Sequence, residues 1–190
     1  MLDLELPPQA LAPLLIGALI SDGGVTVELT EVEAYAGSGD PAAHAWRGLR
    51  PHTRDLFGAP GTLYCYRSHG LHICGNVVCE ALGSGSAVLF RAGRVIDGIE
   101  LARERRGGVA DAALARGPGN LGCAMGWTLA DSGRGFAGHL QPGRALSVVA
   151  GPRVGVSVAV ARPWRFWADG DPTVSSYRRS PRAGRGGDDW

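Results

Sequence analysis

A carboxylate and a set of flat polar rings fall within one stretch of this chain. Glu33 and Tyr35 close a run in which Val25, Val27, Leu29 and Glu31 alternate with Thr26, Glu28, Thr30 and Val32. Tyr64, Tyr66, His69, His72 and Asn76 follow on two apolar runs, and His44 lies between in a small-residue segment. Rings that stack, an imidazole and an amide that hydrogen-bond, and a carboxylate that takes a proton from water suit an enzyme gripping a flat heterocycle. Position singles out Glu33. It stands at a strand end just before the break Gly37-Ser38-Gly39-Asp40-Pro41, and such ends commonly present catalytic groups. On pattern alone, a solvated strand-end glutamate is the simpler reading.

Other chemistries fit less well. Cys65, His69, His72, Cys74 and Cys79 look like a zinc cluster, but tight C-x-x-C or H-x-x-x-H units are missing. Strand alternation sends Cys65 away from the Tyr64/Tyr66 face and Cys79 away from Cys74, so no metal is expected. No Gly-x-Ser-x-Gly elbow is present, and no cysteine has an activating context. Arg47, Arg50 and Arg54, interleaved with Trp46 and His52, are either a solvated loop face or a phosphate-contacting patch, with equal weight. Gly117-Pro118-Gly119-Asn120 opens a helix at 119–126 whose N–H groups could cradle a phosphate, although such a sequence more often just turns the chain.

These groups must be carried by a single globular domain: 190 residues, 45% hydrophobic and 19% charged, can bury a core. A net charge of +1 announces no global basic field, so nucleic-acid binding would rest on a local patch. All 19 Lys+Arg residues are arginine. The N-terminal apolar run carries Asp3 and Glu5 and is broken by Pro7, Pro8 and Pro13. It is too short for a membrane span and unlike a secretory leader. With four cysteines and no leader, a reducing cytoplasm is expected.

The patterns predict a short helix at 9–16, a hairpin turning at Asp22-Gly23-Gly24, and a half-buried strand ending near Tyr35. Asp40-Pro41 starts a helical segment carrying His44. Strands are expected at 62–67 and 71–79, and at 87–90 ending at Arg91. Helices are expected at 97–106 and 109–115, and late strands at 145–149 and 153–158. The aromatic run 162–167 reads as a core plug. The Arg/Gly-rich tail, 178–190, reads as disordered beyond a domain of residues 1–177.

Taken together, TEVEAY at 30–35, GDPAAHA at 39–45, TRDLFGAPGTLYCYRSHGLHICGNVV at 53–78, AVLFRA at 87–92, LARGPGNL at 114–121 and RPWRFW at 162–167 resemble the 3-methyladenine (alkylpurine) DNA glycosylase family of the alkyladenine type. The resemblance runs from about Leu11 to Ser176. It implies a single mixed α/β domain of the α+β class, a curved antiparallel sheet with short helices and a β-hairpin pushed into the DNA minor groove, and no cofactor or metal. The implied partner is double-stranded DNA containing damaged purines, met by a monomer in the cytoplasm, on the nucleoid.

Carried onto this sequence, the resemblance implies that Glu33 activates water and that Arg91 helps hold that water and the carboxylate. Tyr35 and Tyr66 would form an aromatic slot with His44 donating at its edge, and Asn76 would crowd normal guanine. His69 would fill the gap left by a flipped nucleotide, where animal relatives use tyrosine. Arg47, Arg50, Arg54, Arg67, Gly117, Gly119 and Asn120 would meet the backbone, Asn120 standing where relatives commonly have lysine. Two rival classes remain: a non-catalytic damage-binding module, and a metal-dependent hydrolase using the Cys/His hairpin.

Two expectations follow. A glycosylase that also cuts the strand usually attacks C1′ with an amine, and without a lysine side chain hydrolysis by water is the remaining route. Tyr66 and Asn76 share a hairpin face only if the loop is odd-numbered, His69-Gly70-Leu71, or carries a bulge of the same effect.

Overall fold

The computed structural model describes residues 2–183. It is a single α+β domain built on one antiparallel sheet of nine strands. β1 (Leu19–Asp22) turns through Gly23 and Gly24, both at positive φ, into the 12-residue β2 (Val25–Ala36). Two such residues suit the tight turn that matches strand twist. β3 (Leu63–Ser68) and β4 (His72–Cys79) form the next hairpin, and β5 (Ser86–Asp97) lies between β4 and β2. Short strands complete the sheet: β6 (Ala115–Arg116) on β5, β7 (Leu140–Gln141) on β1, and β8 (Val148–Gly151) on β9 (Arg165–Ala168). β9 pairs with β2 at Glu31 to Glu33, beyond the reach of β1.

The sheet has two unlike faces. Val32 and Ala34 of β2 and Val88 and Phe90 of β5 point into the main core. The helices α1 (Pro8–Leu14), α2 (Ile99–Arg106) and α3 (Pro118–Met125) bring Leu11, Ala102, Leu121 and Met125 to it. The alternate residues, Glu31, Glu33 and Tyr35 on β2 and Ala87, Leu89 and Arg91 on β5, point to the opposite face. There a smaller cluster of Ala45, Leu56, Tyr64, Val78 and Ala87 packs.

Several elements differ from the sequence pattern. β2 is buried on both faces over most of its length, not half-buried, because β9 and the segment through Thr173 and Ser175 cover its polar side. β5 does not stop at Arg91 but continues to Asp97. Register shifts against β2 between Leu29 and Val32 absorb the mismatch. Gly93 lets the strands approach: a Cβ there would meet Val27 Cγ1 at 2.2 Å. Residues 109–115 hold only one 3-10 turn, Asp111–Ala113, before β6. No strand forms at 153–158. β8 ends at Gly151, and Arg153 is taken instead by a buried ion pair. The aromatic run 162–167 does pack Trp164 and Phe166 against the core, but it does so as the lead into β9, where Arg165 sits buried facing Glu31. Of the tail, 184–190 lie outside the described residues, while Arg178 accepts a hydrogen bond from Gly155 N.

Candidate active site

One register row crosses the polar face. Tyr64 on β3 pairs with Asn76 on β4, Asn76 with Leu89 on β5, Leu89 with Glu33 on β2, and Glu33 with Arg165 on β9. Neighbouring strands lie about 4.8 Å apart, so the row places Asn76 roughly two strand spacings from the carboxylate.

Glu33 is fully buried. Its Oε1 accepts from the Val154 backbone N–H at 2.7 Å. Its Oε2 accepts from Tyr35 Oη at 2.8 Å and from Arg91 Nη1 at 3.3 Å. Arg91 is divided between two carboxylates. Its Nε donates to Glu31 Oε1 at 2.8 Å, and its Nη2 reaches Ser175 Oγ at 3.3 Å. Burial alone disfavours the Arg91 cation, but Glu33 and Glu31 outweigh it and hold the guanidinium protonated. Glu31 also receives Arg165 Nε at 2.7 Å and Ser175 N at 2.7 Å. Burial pushes the Glu31 carboxyl up, yet Arg91, Arg165 and these hydrogen bonds bring it below the ordinary value.

Beside the carboxylate lies a pocket of about 410 Å3, counting its open mouth, with Tyr35, His44, Tyr64, Tyr66 and Asn76 in its lining. Tyr64 and Tyr66 stack at 5.8 Å between centroids with an interplanar angle of 21°. His44 stands edge-on to Tyr66 at 4.5 Å, one side open to solvent, and its Nδ1 is 3.2 Å from Tyr64 Oη. The same hydroxyl reaches the His52 carbonyl at 3.4 Å, and with its proton directed there it accepts from His44 Nδ1–H. Desolvation against the rings, then His52, lower the His44 pKa, which favours the neutral ring. Burial pushes the Tyr64 hydroxyl up to about 12 and the Tyr66 hydroxyl higher still, so both are neutral donors at physiological pH. The Asn76 Nδ2 group donates to the Tyr64 carbonyl at 3.1 Å, which fixes the amide against the pocket wall.

The structure therefore brings Glu33, Arg91, Tyr35, His44, Tyr66 and Asn76 together. The hairpin register explains part of this. Ser68 pairs with His72 and Tyr66 with Cys74, so Tyr64, Tyr66 and Asn76 share a face. His69 and Gly70 both have positive φ, Ser68 accepts from Leu71 N at 3.1 Å, and Leu71 is the extra residue. His69 is exposed at the tip, and Leu71, 79% exposed, stands beside it. Arg47, Arg50, Arg54 and Arg67 are exposed. Gly117, Gly119 and Asn120 form the start of α3, which packs on the hairpin: a Cβ on Gly119 would meet His72 Cβ at 2.6 Å. The Asn120 amide is already engaged, donating to Arg116 O at 2.6 Å.

Sequence reasoning left out Tyr64 as a pocket wall, and also Glu31, Arg165, Ser175, Asp40 and Arg153 around the carboxylates. Tyr64 was findable, since it shares parity with Tyr66 two residues on. The others meet across more than a hundred residues of chain, and no local spacing signals them. Among the described residues no group of three or more His, Cys, Asp or Glu side chains is placed to hold a metal. Cys65 and Cys79 are buried in the main core.

Fold and site together set an aromatic-lined pocket beside a buried, arginine-held carboxylate on one face of an antiparallel sheet. The chain belongs to the methylpurine-DNA glycosylase (MPG) family, whose model matches residues 3–172. It is 50% identical over 192 residues to a protein of Mycolicibacterium paratuberculosis, covering 95% of this chain and 94% of the relative. It is 47% identical over 190 residues to one of Cutibacterium acnes, covering 94% and 100%. Against one of Mycobacterium tuberculosis it is 48% identical over 192 residues, covering 95% of each. All three relatives carry the name "Putative 3-methyladenine DNA glycosylase".

Proposed function

We propose that this protein is a monofunctional DNA glycosylase of base excision repair that removes alkylated or deaminated purines from duplex DNA with water activated by Glu33. Family membership supports a DNA glycosylase acting in DNA repair. The observation that carries the finer reading is the state of Glu33: buried, held by three donors, and beside a ring-sized aromatic pocket.

A base inside a duplex is out of reach, so the nucleotide must leave the stack. The exposed hairpin tip, with His69 and Leu71, suits filling the gap. Arg47, Arg50, Arg54 and Arg67 supply positive charge for backbone phosphates, and the N–H groups at Gly117, Gly119 and Asn120 offer a second backbone contact. The purine enters between Tyr35 and Tyr66, where stacking contributes about 1–3 kcal/mol and tolerates many bases. A methylated, positively charged purine gains cation–π attraction as well. His44 meets its edge, and Asn76 crowds a normal guanine.

As the glycosidic bond breaks, C1′ becomes oxocarbenium-like. An ionised carboxylate has about four acceptor positions. Val154, Tyr35 and Arg91 occupy three, so Oε1 keeps one position for a water. Glu33 takes a proton from that water as its oxygen bonds to C1′, and the purine departs with the bonding electrons. Glu31 and Arg165 fix Arg91, whose Nη1 steadies the carboxylate.

The absence of lysine leaves no side-chain amine for a Schiff base, so the product is an intact abasic strand. No helix among the described residues is long and apolar enough to cross a membrane. The reading makes the protein a monomer working on the nucleoid in the cytoplasm. Base release from duplexes bearing defined lesions, with EDTA present, tests it. Release that survives EDTA supports the glycosylase, and release abolished by EDTA supports a metal-dependent hydrolase. Lesion binding without release supports a damage-binding module.

A further inference from the structure

Behind Tyr35 lies a buried cation that the mechanism above does not use. Arg153 and Asp40 form an ion pair with both side chains fully buried. The Arg153 Nη2 group donates to Asp40 Oδ1 at 2.9 Å, and Nη1 donates to the other carboxylate oxygen and to Ala34 O. Arg153 Nε has no hydrogen-bond partner among the described residues. A buried pair of this kind is often no more stabilising than well-packed apolar side chains of the same volume, which directs attention to where its charge sits.

The guanidinium carbon is 4.7 Å from the centre of the Tyr35 ring and 5.3 Å from that of Trp164. Tyr35 itself lines the pocket. Its hydroxyl responds to this neighbour: burial and Glu33 push its pKa well above the ordinary value, while Arg153 pulls the other way. A cation attracts an aromatic ring through the negative potential of its face. One already engaged with Tyr35 weakens the attraction that ring offers to a second cation.

We propose that Arg153, held by Asp40, is a specificity-determining positioning residue: its charge behind Tyr35 reduces the advantage that a positively charged purine has over a neutral one in the pocket. The inference rests on the glycosylase reading above. It explains how one slot can accept both kinds of base without ranking them by charge alone.

The test compares kcat/KM for 7-methylguanine, which is cationic, and hypoxanthine, which is neutral, in otherwise identical duplexes. The charge-removing variant is Arg153→Met with Asp40→Asn, which keeps an acceptor for the Ala42 N–H that Asp40 now receives. The cationic-to-neutral ratio is expected to rise about 3- to 10-fold over the unaltered protein. Arg153→Gln with Asp40→Asn, which drops both charges and keeps amide hydrogen bonds, should raise it in the same direction and serves if the first double variant does not fold. Arg153→Lys keeps the charge and should hold the ratio within about twofold, whatever its overall rate. An unchanged ratio in the charge-removing variants, with both rates lowered equally, would mean a merely structural role and overturn the inference. So would a rise in Arg153→Lys as large as theirs. If the unaltered protein releases neither base, the glycosylase reading falls and takes this inference with it, an outcome distinct from active enzymes with equal ratios.

Discussion

The Tyr35 hydroxyl donates to Glu33 Oε2 at 2.8 Å while the ring of the same tyrosine lines the pocket. One side chain thus touches both the aromatic pocket and the buried carboxylate. In the proposed reaction, stacking and proton transfer are joined through this residue, two positions from Glu33 on the same face of β2.

Tyr35→Phe separates the two roles. The ring remains, so affinity for a lesion-bearing duplex should stay within about twofold. A hydrogen bond to a charged group contributes about 1.5–3 kcal/mol, so the single-turnover rate of base release should fall roughly 10- to 100-fold. Rapid-quench kinetics beside equilibrium binding measures both. A loss of binding with the chemical step intact would place the hydroxyl outside the reaction.

Salt dependence probes the arginines proposed to meet the DNA phosphates. With a net charge of +1, the footprint rests on few cations, and log K should fall with log salt at about −0.9 per phosphate neutralised. Replacing Arg47 and Arg50 with Ala should flatten that slope by roughly 2 and weaken all duplexes alike. An unchanged slope would move the phosphate contacts elsewhere.

The outline of this site was legible because part of it is local. The parity of Tyr66 and Asn76 follows from an odd-numbered loop containing Gly70, and the register bears that parity out, with His69-Gly70-Leu71 as a three-residue loop. The turn at Gly23-Gly24 and the strand carrying Glu33 were equally readable from alternation and turn chemistry. What stayed hidden is non-local. Glu31 is joined to Arg165 and Ser175, and Asp40 to Arg153, across more than a hundred residues of chain. The run through Arg165 looked like a hydrophobic plug because Trp164, Phe166 and Trp167 dominate it. Its arginine is buried for charge, facing Glu31 and stacked over Trp167 at 4.5 Å. The true length of β5 was masked by Arg91, Gly93 and Arg94, which read as a strand end until β2 supplies the partners.

Acid should loosen the carboxylate network. The folded Glu31 carboxyl lies below its ordinary value of 4.5, because Arg91, Arg165 and its hydrogen bonds together outweigh burial. A lowered folded value means that the stabilisation is fully present above about pH 4.5 and is lost as pH falls through the folded value. Urea midpoints should therefore drop on acidification. In Glu31→Gln that acid-dependent part of the drop should shrink, although the variant is less stable at neutral pH because Arg165 and Arg91 lose a buried partner. An identical acid profile in the two proteins would assign the loss to other carboxylates.

Strand scission supplies a chemical test independent of lesion choice. With no lysine in the chain, treatment with borohydride during turnover should trap no covalent enzyme–DNA adduct, and the abasic strand should break only on later alkali treatment. A trapped adduct would reveal an amine nucleophile and contradict hydrolysis by water.

The most direct measurement is single-turnover base release by Glu33→Gln. Glutamine keeps the size of the side chain and a carbonyl acceptor for Val154, Tyr35 or Arg91, but it cannot take a proton from water. The account predicts that damaged-duplex affinity is retained while the release rate falls by about 100-fold or more. Release at a near-normal rate, with the variant folded and bound to its lesion, would contradict the assignment of Glu33 as the group that activates water.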